Sequence, residues 1–486
     1  MRAPNALVHP PDRRARRALA LLLAAALSGC ATAPPPAPGL AQLAPPQWYA
    51  PAPHGGTASQ LADWWQQPGS DATLAALVQA ALADSPSLDA AQARVRAAQA
   101  QLGVQRAGLL PQLSAAASAN RSNAATVGAT APGAGQPIVT TGQASLQASW
   151  EIDLFGRQRA LVDAARARVD GAEALAQSAR VSLVADVAGT YHGLRLCQLM
   201  LTTTRADAAS RSETARLARI SRDAGFTAPA TAALADASAA EGRSRVLQQR
   251  ATCDVQRKAL VALTGLPEPD IEQKLAVAQV GQAQAALFNI ATLPAETLRQ
   301  RPDVWAAERE LLATLAETRS ADAARWPSLS LGGNVAALRL RSGGVSSDFN
   351  TWTFGPLQLA LPLFDGGAIA ANQAATRARY DEAVANYQGT VRQAVREVET
   401  ALTEGDATRA READARAAVA GYRQQFNATE ALYRQGMASL PDLEEARRTL
   451  LNAETALNQL LHDRDAASVA LYRAAGGGWR ANETAP

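Results

Sequence analysis

The residues Gly142-Gln143-Ala144-Ser145-Leu146-Gln147-Ala148-Ser149-Trp150-Glu151-Ile152-Asp153-Leu154-Phe155-Gly156-Arg157 run from a strand pattern through a glycine turn into a segment with no proline as far as Asp223. Glycine permits the sharp change of direction. The segment from Arg157 to Asp223 holds roughly 70 residues, which at 1.5 Å per residue makes roughly 100 Å of helix. Compact domains rarely contain helices of that length. The same passage occurs again: a strand pattern over 351–363 ends in Leu361-Pro362-Leu363-Phe364-Asp365-Gly366-Gly367, and a proline-free run follows from Ala368 to Gln435.

Upstream of each passage the chain also repeats itself. Pro86 and Pro111 are 25 residues apart, as are Pro302 and Pro327, and at that shift Ala90, Ala91, Ala100, Ala107, Leu113 and Ser114 meet Ala306, Ala307, Ala316, Ala323, Leu329 and Ser330. Two structural repeats follow, at residues 61–264 and 294–475. Each predicts a helix leading to a proline, two strands (about 112–123 and 142–154, then 328–340 and 351–363), the long helix, and a return helix. The returns, Pro229 to Thr264 and Pro441 to Ala475, are each about half the length of the outgoing helix, roughly 50 Å. The helices Ser87 to Leu110 and Asp303 to Arg325 have the missing length. Residues 265–293, with Pro267, Pro269 and Gly281, read as an inter-repeat connection at mid-height, and 476–486 as a tail. In the last helix Leu443, Ala446, Leu450, Ala453, Leu457 and Leu460 alternate spacings of three and four, a coiled-coil seam.

Composition narrows the function classes. Lysine occurs only at Lys258 and Lys274, and aromatic residues make up 5% of the chain, as suits helices packed through alanine. The formal charge of +3 falls to −1 once the basic leader before Cys30 is set aside, leaving 42 basic against 43 acidic residues. Without a basic stripe there is no footprint for nucleic acid. The histidines are His9, His54, His192 and His462, none with a cysteine or histidine at ligand spacing, and no phosphate loop, nucleophile elbow or catalytic carboxylate pair stands out. The expectation is no catalytic site, no metal and no cofactor.

Residues 1–29 read as a signal peptide, with a basic start and the apolar run Ala18 to Leu27 before Leu27-Ser28-Gly29-Cys30. That ending resembles a bacterial lipobox. The resemblance implies a covalent lipid on Cys30 and, with Ala31 next to it, delivery to the outer membrane. Residues 30–60, rich in Pro and Ala, then read as a lipidated tether that no core needs. Cys197 and Cys253 lie almost symmetrically about Gly225; if the chain reverses there they reach one height on facing helices, as a disulfide if their β-carbons meet or as two buried thiols if not.

Four strands per chain cannot close on themselves, and in lipid an open sheet leaves edge amides unpaired at several kcal/mol each. Three chains supply twelve strands, within the range of outer-membrane barrels. The expected fold is mostly α: two internal repeats, four strands per chain in a trimeric 12-stranded β-barrel, and a long α-helical barrel continuing it. Such an object is a conduit. Asp63-Trp64-Trp65, Trp150 to Arg157, Leu361 to Gly367, Tyr433-Arg434-Gln435-Gly436 and Leu471-Tyr472-Arg473-Ala474-Ala475-Gly476-Gly477-Gly478-Trp479, in this order, make the chain similar to the TolC/OprM-like, NodT-type outer-membrane factors of tripartite efflux systems.

That resemblance implies a homotrimer in outer-membrane lipid, passively conducting drugs or other small molecules. Its partners would be a periplasmic adaptor and an inner-membrane pump, commonly of the resistance-nodulation-division type. Adaptor docking falls on the turns Gly225-Phe226-Thr227 and Gly436-Met437-Ala438-Ser439. The family's periplasmic gate falls on Leu440, Asp442, Glu444 and Glu445; three carboxylates about a narrow axis would favour cations, whereas acids at a helix start also simply cap it. Two alternatives remain at this point: a coiled-coil scaffold lipoprotein with no pore, and an exit duct for type I secretion or metal efflux. Copper is disfavoured by methionine only at Met1, Met200 and Met437.

Overall fold

The computed structural model describes residues 38–51, 63–66, 71–123, 138–277, 294–342 and 344–480. The signal peptide and Cys30 lie outside the described residues, as does most of the inter-repeat connection. From Gly39 onward the chain forms one compact unit. Its helices are α1 (Leu40–Leu43), α2 (Ala72–Ala83), α3 (Pro86–Ala107), α4 (Arg157–Asp223), α5 (Pro229–Thr264), α6 (Glu268–Val277), α7 (Pro294–Arg299), α8 (Pro302–Ala323), α9 (Ala368–Arg434) and α10 (Leu440–Ala474). Its strands are β1 (Gln112–Asn123), β2 (Ile138–Ile152), β3 (Ser328–Ser342) and β4 (Val345–Ala360).

Prolines and glycines set the helix limits. Pro86, Pro229, Pro302 and Pro441 occupy first-turn positions, where the missing N–H costs nothing. Gly156 and Gly367, at φ +76° and +92°, turn the chain from sheet into α4 and α9, a conformation only glycine adopts freely. The two long helices each contain 67 residues. They pack side by side with the shorter ones: on the sheet side the neighbours are α3, α4, α8 and α9, on the far side α5, α4, α10 and α9. Each return is thus a stack of two helices. The end of α5 at Gly265 meets Asp84 before α3, and the end of α10 meets the start of α8, where buried Arg301 donates to Ala474 O at 3.0 Å and pairs with Asp303 and Glu397.

The strands form one antiparallel sheet in the order β1-β2-β3-β4. The two hairpins are therefore not separate: β2 of the first repeat pairs with β3 of the second from Val139↔Ser342 to Ile152↔Leu329. β1 and β4 are left as edges. Five strand limits differ from the sequence expectation: β2 ends at Ile152 and β4 at Ala360, short of Leu154 and Leu363, and three others move outward. β2 begins at Ile138, because Ile138-Val139-Thr140-Thr141 is β-branched and pairs with Asn120 to Asn123. β3 runs on to Ser342, and β4 begins at Val345, so the expected loop through Asn350 is strand. A bulge where Gly355 and Pro356 oppose Gly332 keeps the faces in register beyond it.

The main core lies at mid-height, where α2 covers α4 and α6 packs against α5 and α2. Leu74, Leu77, Val78, Val184, Tyr191, Leu194, Leu260 and Ile271 are buried there, each aliphatic contributing about 1.5–3 kcal/mol of transfer free energy. Trp64 and Trp65 pack edge-on against Tyr472, which accounts for the paired tryptophans. Two segments read as loose are docked. In the tether, Trp48 is buried in this core, and the amides of Tyr49 and Ala50 each donate to the Glu399 carboxylate at 2.8 Å. In the tail, Gly476 and Gly477 are buried and Trp479 meets Trp305 edge-on. Cys197 and Cys253 form a disulfide between α4 and α5, with Cα atoms 5.5 Å apart.

Where α4 meets α10, buried His192 has Asp465 Oδ2 3.6 Å from Nδ1, with His462 on the same helix and Asp71 and Arg464 nearby. Burial holds the imidazole pKa below its ordinary 6.5, against the opposing pull of Asp465. Neutral His192 therefore adds stability in full above pH 6.5, and this is lost as the pH falls from 6.5 through the lowered folded-state value. Thermal unfolding should shift to lower temperature over that window, and His192→Gln should remove part of the shift; an unchanged pH profile would refute the assignment.

Candidate conduit surfaces and periplasmic tip

Strand pairing sorts the sheet into two chemically different faces. On one face successive rows read Ile152-Leu329-Leu359, Trp150-Leu331-Leu357, Leu113-Ala148-Gly333-Phe354, Ala115-Leu146-Val335-Trp352 and Ala117-Ala144-Ala337-Asn350. Four two-residue steps span about 27 Å of strand, or about 20 Å of membrane at a tilt near 40°. Trp352 is 76% and Phe354 82% exposed, as lipid-facing side chains are before a bilayer surrounds them. The opposite face reads Glu151-Ser330-Gln358, Gln112-Ser149-Gly332, Ser114-Gln147-Asn334-Thr353 and Ala116-Ser145-Ala336-Thr351. Ser145 and Ala336 pair across β2 and β3 and are both buried. Small polar side chains on this face suit a water-filled lumen.

The helical wall continues that inner side. A cavity of about 910 Å³ opens on α4, α5, α9 and α10 together, through Asp186, Thr190, Leu263, Glu397, Glu404 and Arg473. These α4 positions lie opposite Val184 and Tyr191, which pack into the mid-height core, so the cavity opens on the face of the wall away from that core.

At the end remote from the sheet the two reversals have the same construction. Gly225 and Gly436 take φ +78° and +74°, and the next amide reaches back five residues, Phe226 N to Ser221 O and Met437 N to Leu432 O, both at 2.9 Å. Such αL caps close helices around glycine. Both turns then present an apolar side chain to solvent, Phe226 at 87% and Met437 at 64% exposure. Thr227 turns back to bond Ser221 at 2.6 Å, Ala438 is half-buried and Ser439 is exposed.

The four expected gate residues have four different environments. Leu440 is buried among Ala215, Ala218, Ala232, Ala235 and Ala239 of α4 and α5, inside the wall and away from the axis. Asp442 caps α10, accepting from Ser439 N at 3.0 Å while Ser439 Oγ accepts from Asp442 N at 3.3 Å. The hydroxyl and then the amide of Ser439, both donating to its carboxylate, hold the carboxyl below the usual range. Glu444 is turned inward, accepting from Arg211 Nη1 at 3.2 Å and Ser238 Oγ at 3.1 Å. Glu445 is exposed, paired with Arg448 one turn on.

Glu444 belongs to a network the sequence did not disclose. Arg211 on α4 also donates to Asp207 at 2.8 Å and to Ser238 of α5 at 2.7 Å. Arg447 on α10 pairs with Glu444, donates to Ser210 and Thr214 of α4 at 2.9 Å each, and lies over the Phe426 ring of α9. Gly242 makes room: a Cβ there would stand 3.2 Å from Ala208 Cα. Charge-assisted bonds thus join α4, α5 and α10, and the cation–π contact of Arg447 with Phe426 adds α9.

A sheet with a lipid face, a polar inner face and free edges, extended by a helical wall with two like tips, defines an outer-membrane channel protein. The chain belongs to the outer membrane efflux protein family, whose model matches residues 77–266 and 293–477. It is 35% identical over 470 residues to outer membrane protein OprJ of Pseudomonas aeruginosa, covering 95% of each chain. It is 28% identical to nodulation protein T of Rhizobium leguminosarum bv. viciae, over 97% of this chain and 95% of that one. Among solved structures it is similar to a membrane protein from Pseudomonas aeruginosa (TM-score 0.77, 31% identity, 92% of this chain and 100% of that one). It is also similar to the Campylobacter jejuni CmeC outer membrane channel (TM-score 0.78, 26% identity, 91% and 93%). The protein is an efflux channel of the outer membrane that extends into the periplasm.

Proposed function

We propose that three copies close the sheet edges, β1 of one against β4 of the next, into a twelve-stranded barrel that is the passive exit duct of a tripartite pump for drugs or other small molecules. The observation that carries this is the pair of free edges on a sheet with a lipid face and a wet face. Unpaired strand edges are not stable in hydrocarbon. On this reading Cys30 carries the lipid, and the Phe226 and Met437 tips meet a periplasmic adaptor fed by an inner-membrane pump, with a resistance-nodulation-division transporter as the pump class. An efflux duct is favoured over a scaffold by the polar inner face, which a pore-free spacer has no use for. The test is purification in mild detergent: a heat-sensitive trimer that conducts in planar bilayers is expected, and an electrically silent monomer would overturn the reading.

Glu445 is the gate carboxylate offered to an axis on this reading, since its partner Arg448 is as exposed as it is, whereas Asp442 caps the helix and Glu444 is bound within the wall. Glu445→Gln should lower cation preference in bilayers measurably, because three charges are removed from one ring. Unchanged reversal potentials under a salt gradient would return Glu445 to a surface pair with Arg448.

A further inference from the structure

Above the lipid belt the β3–β4 hairpin exchanges the character of its two faces. The formerly apolar outer face becomes Ala119-Gly142-Arg339-Asp348 and then Arg121-Thr140-Arg341-Ser346, with Arg339 and Asp348 paired at 2.7 Å. Over the same rows the inner face reads Ser118-Gln143-Leu338-Phe349, Asn120-Thr141-Leu340-Ser347 and Ser122-Val139-Ser342-Val345, still polar on β1 and most of β2 but carrying Leu338, Leu340, Phe349 and Val345 on β3 and β4. The hairpin end of β3 and β4 is thus amphipathic in the reverse sense to its root: charge outside, hydrocarbon inside. Alternation has not slipped, because the register runs unbroken from Gly333↔Phe354 to Ser342↔Val345. The inversion is therefore written in the residues.

Outward charge places these rows beyond the hydrocarbon layer, in water. An inward apolar surface in water at a wide mouth would be exposed on every copy; Phe349 is 51% and Val345 67% exposed in a single chain. A twelve-stranded wall has a circumference of about 75 Å and a radius near 12 Å, so a cylinder of that width would leave the apolar side chains hydrated. What can cover them, at about 25 cal/mol per Å² of hydrocarbon removed from water, is the same surface on the two sister chains across the axis.

We propose that the three β3–β4 hairpin ends lean across the outer mouth and bring Leu338, Leu340, Phe349 and Val345 together as an apolar collar. This inference rests on the trimeric duct. The collar makes the outlet selective. Hydrated ions and strongly polar solutes meet a wall that offers them no hydrogen bonds, whereas apolar and amphiphilic cargo replaces one hydrocarbon contact with another. Return of small polar solutes from outside is resisted at the same place.

Single cysteines introduced beside the native disulfide read the geometry. A disulfide needs Cβ atoms about 4 Å apart. Under mild oxidation Val345→Cys should give roughly tenfold more linked dimer than Thr353→Cys, which lies on the same face in the wide part of the barrel where equivalent positions are about 20 Å apart. Phe349→Cys should fall between them. Ser346→Cys, next in sequence to Val345 but facing outward, should behave like Thr353→Cys. An unheated sample on the same gel reports the trimer. A trimer band with equal linking at all four positions, or with none at Val345, overturns the collar and leaves the duct intact. Loss of the trimer in the parent protein removes both.

Discussion

Replacing Arg211 by alanine should open the periplasmic end: single-channel conductance is expected to rise severalfold, and cells carrying the variant should become sensitive to large polar antibiotics. Arg211 is buried and neutralises two carboxylates at once, Asp207 at 2.8 Å on its own helix and Glu444 at 3.2 Å on α10, while bonding Ser238 on α5. Truncation leaves two carboxylates in a poorly hydrated seam, and removing one partner of a buried pair costs about 3–5 kcal/mol. Glu444 and Arg447 keep each other, so α10 itself remains intact. What is lost is the ion pair between α4 and α10, which leaves Arg447 with Ser210 and Thr214, and Ser238 with Glu444, as the remaining bonds that keep the tip gathered. Trimer yield should be nearly unchanged, because the main core lies about 25–40 Å away along α4. Arg211→Lys, a single point charge without the fork that serves three acceptors, should be intermediate. Equal conductance in all three proteins would show that the network is only structural.

Gly476→Ala should have the largest effect on assembly. Gly476 lies at φ +76° in a slot where an added Cβ would stand 2.0 Å from Gln300 O and 2.8 Å from Arg301 Cα. Both are backbone atoms at the joint between α10 and α8, so no side chain can move aside. The replacement must push the C-terminal turn away from Arg301, whose guanidinium caps α10 through Ala474 O, and overpacking of this kind destabilises by several kcal/mol. Little trimer should accumulate in the outer membrane. Gly405→Ala is the matched control, since its Cβ would find only Ala467 Cβ at 4.0 Å in a regular helix; there the trimer should melt slightly higher. Normal yield of Gly476→Ala would show that the turn is free to undock.

Much of this architecture is legible in the residues because its punctuation is strong. Pro86, Pro229, Pro302 and Pro441 start helices and Gly156, Gly225, Gly367 and Gly436 turn the chain, so the predicted helices end within three residues of the observed ones. The strands were harder. Ile138 to Thr141 follows a Gly/Pro-rich segment and resembles its end, and the β2–β3 pairing that holds this part extended joins residues about 200 apart. The tip is half legible: of the two readings of the acids at the start of α10, capping holds for Asp442, whereas Leu440, which the resemblance places at the gate, lies in the α4/α5 seam. Nothing local marks Arg211 as the partner of Glu444, 233 positions away on another helix. Nor did the proline-rich leader reveal that Trp48 would find a core and Glu399 would accept two of its amides.

The wall mixes two kinds of strut. α4 and α9 run unbroken from sheet to tip, while their companions are interrupted where α5 meets α3 and α10 meets α8. A continuous helix carries torque along its whole length; a butt joint, held by a few hydrogen bonds and a buried guanidinium, lets one half swivel against the other. Rotation of the lower return helices during dilation can therefore be absorbed at the equator, and the strands anchored in lipid need not twist when the far end moves.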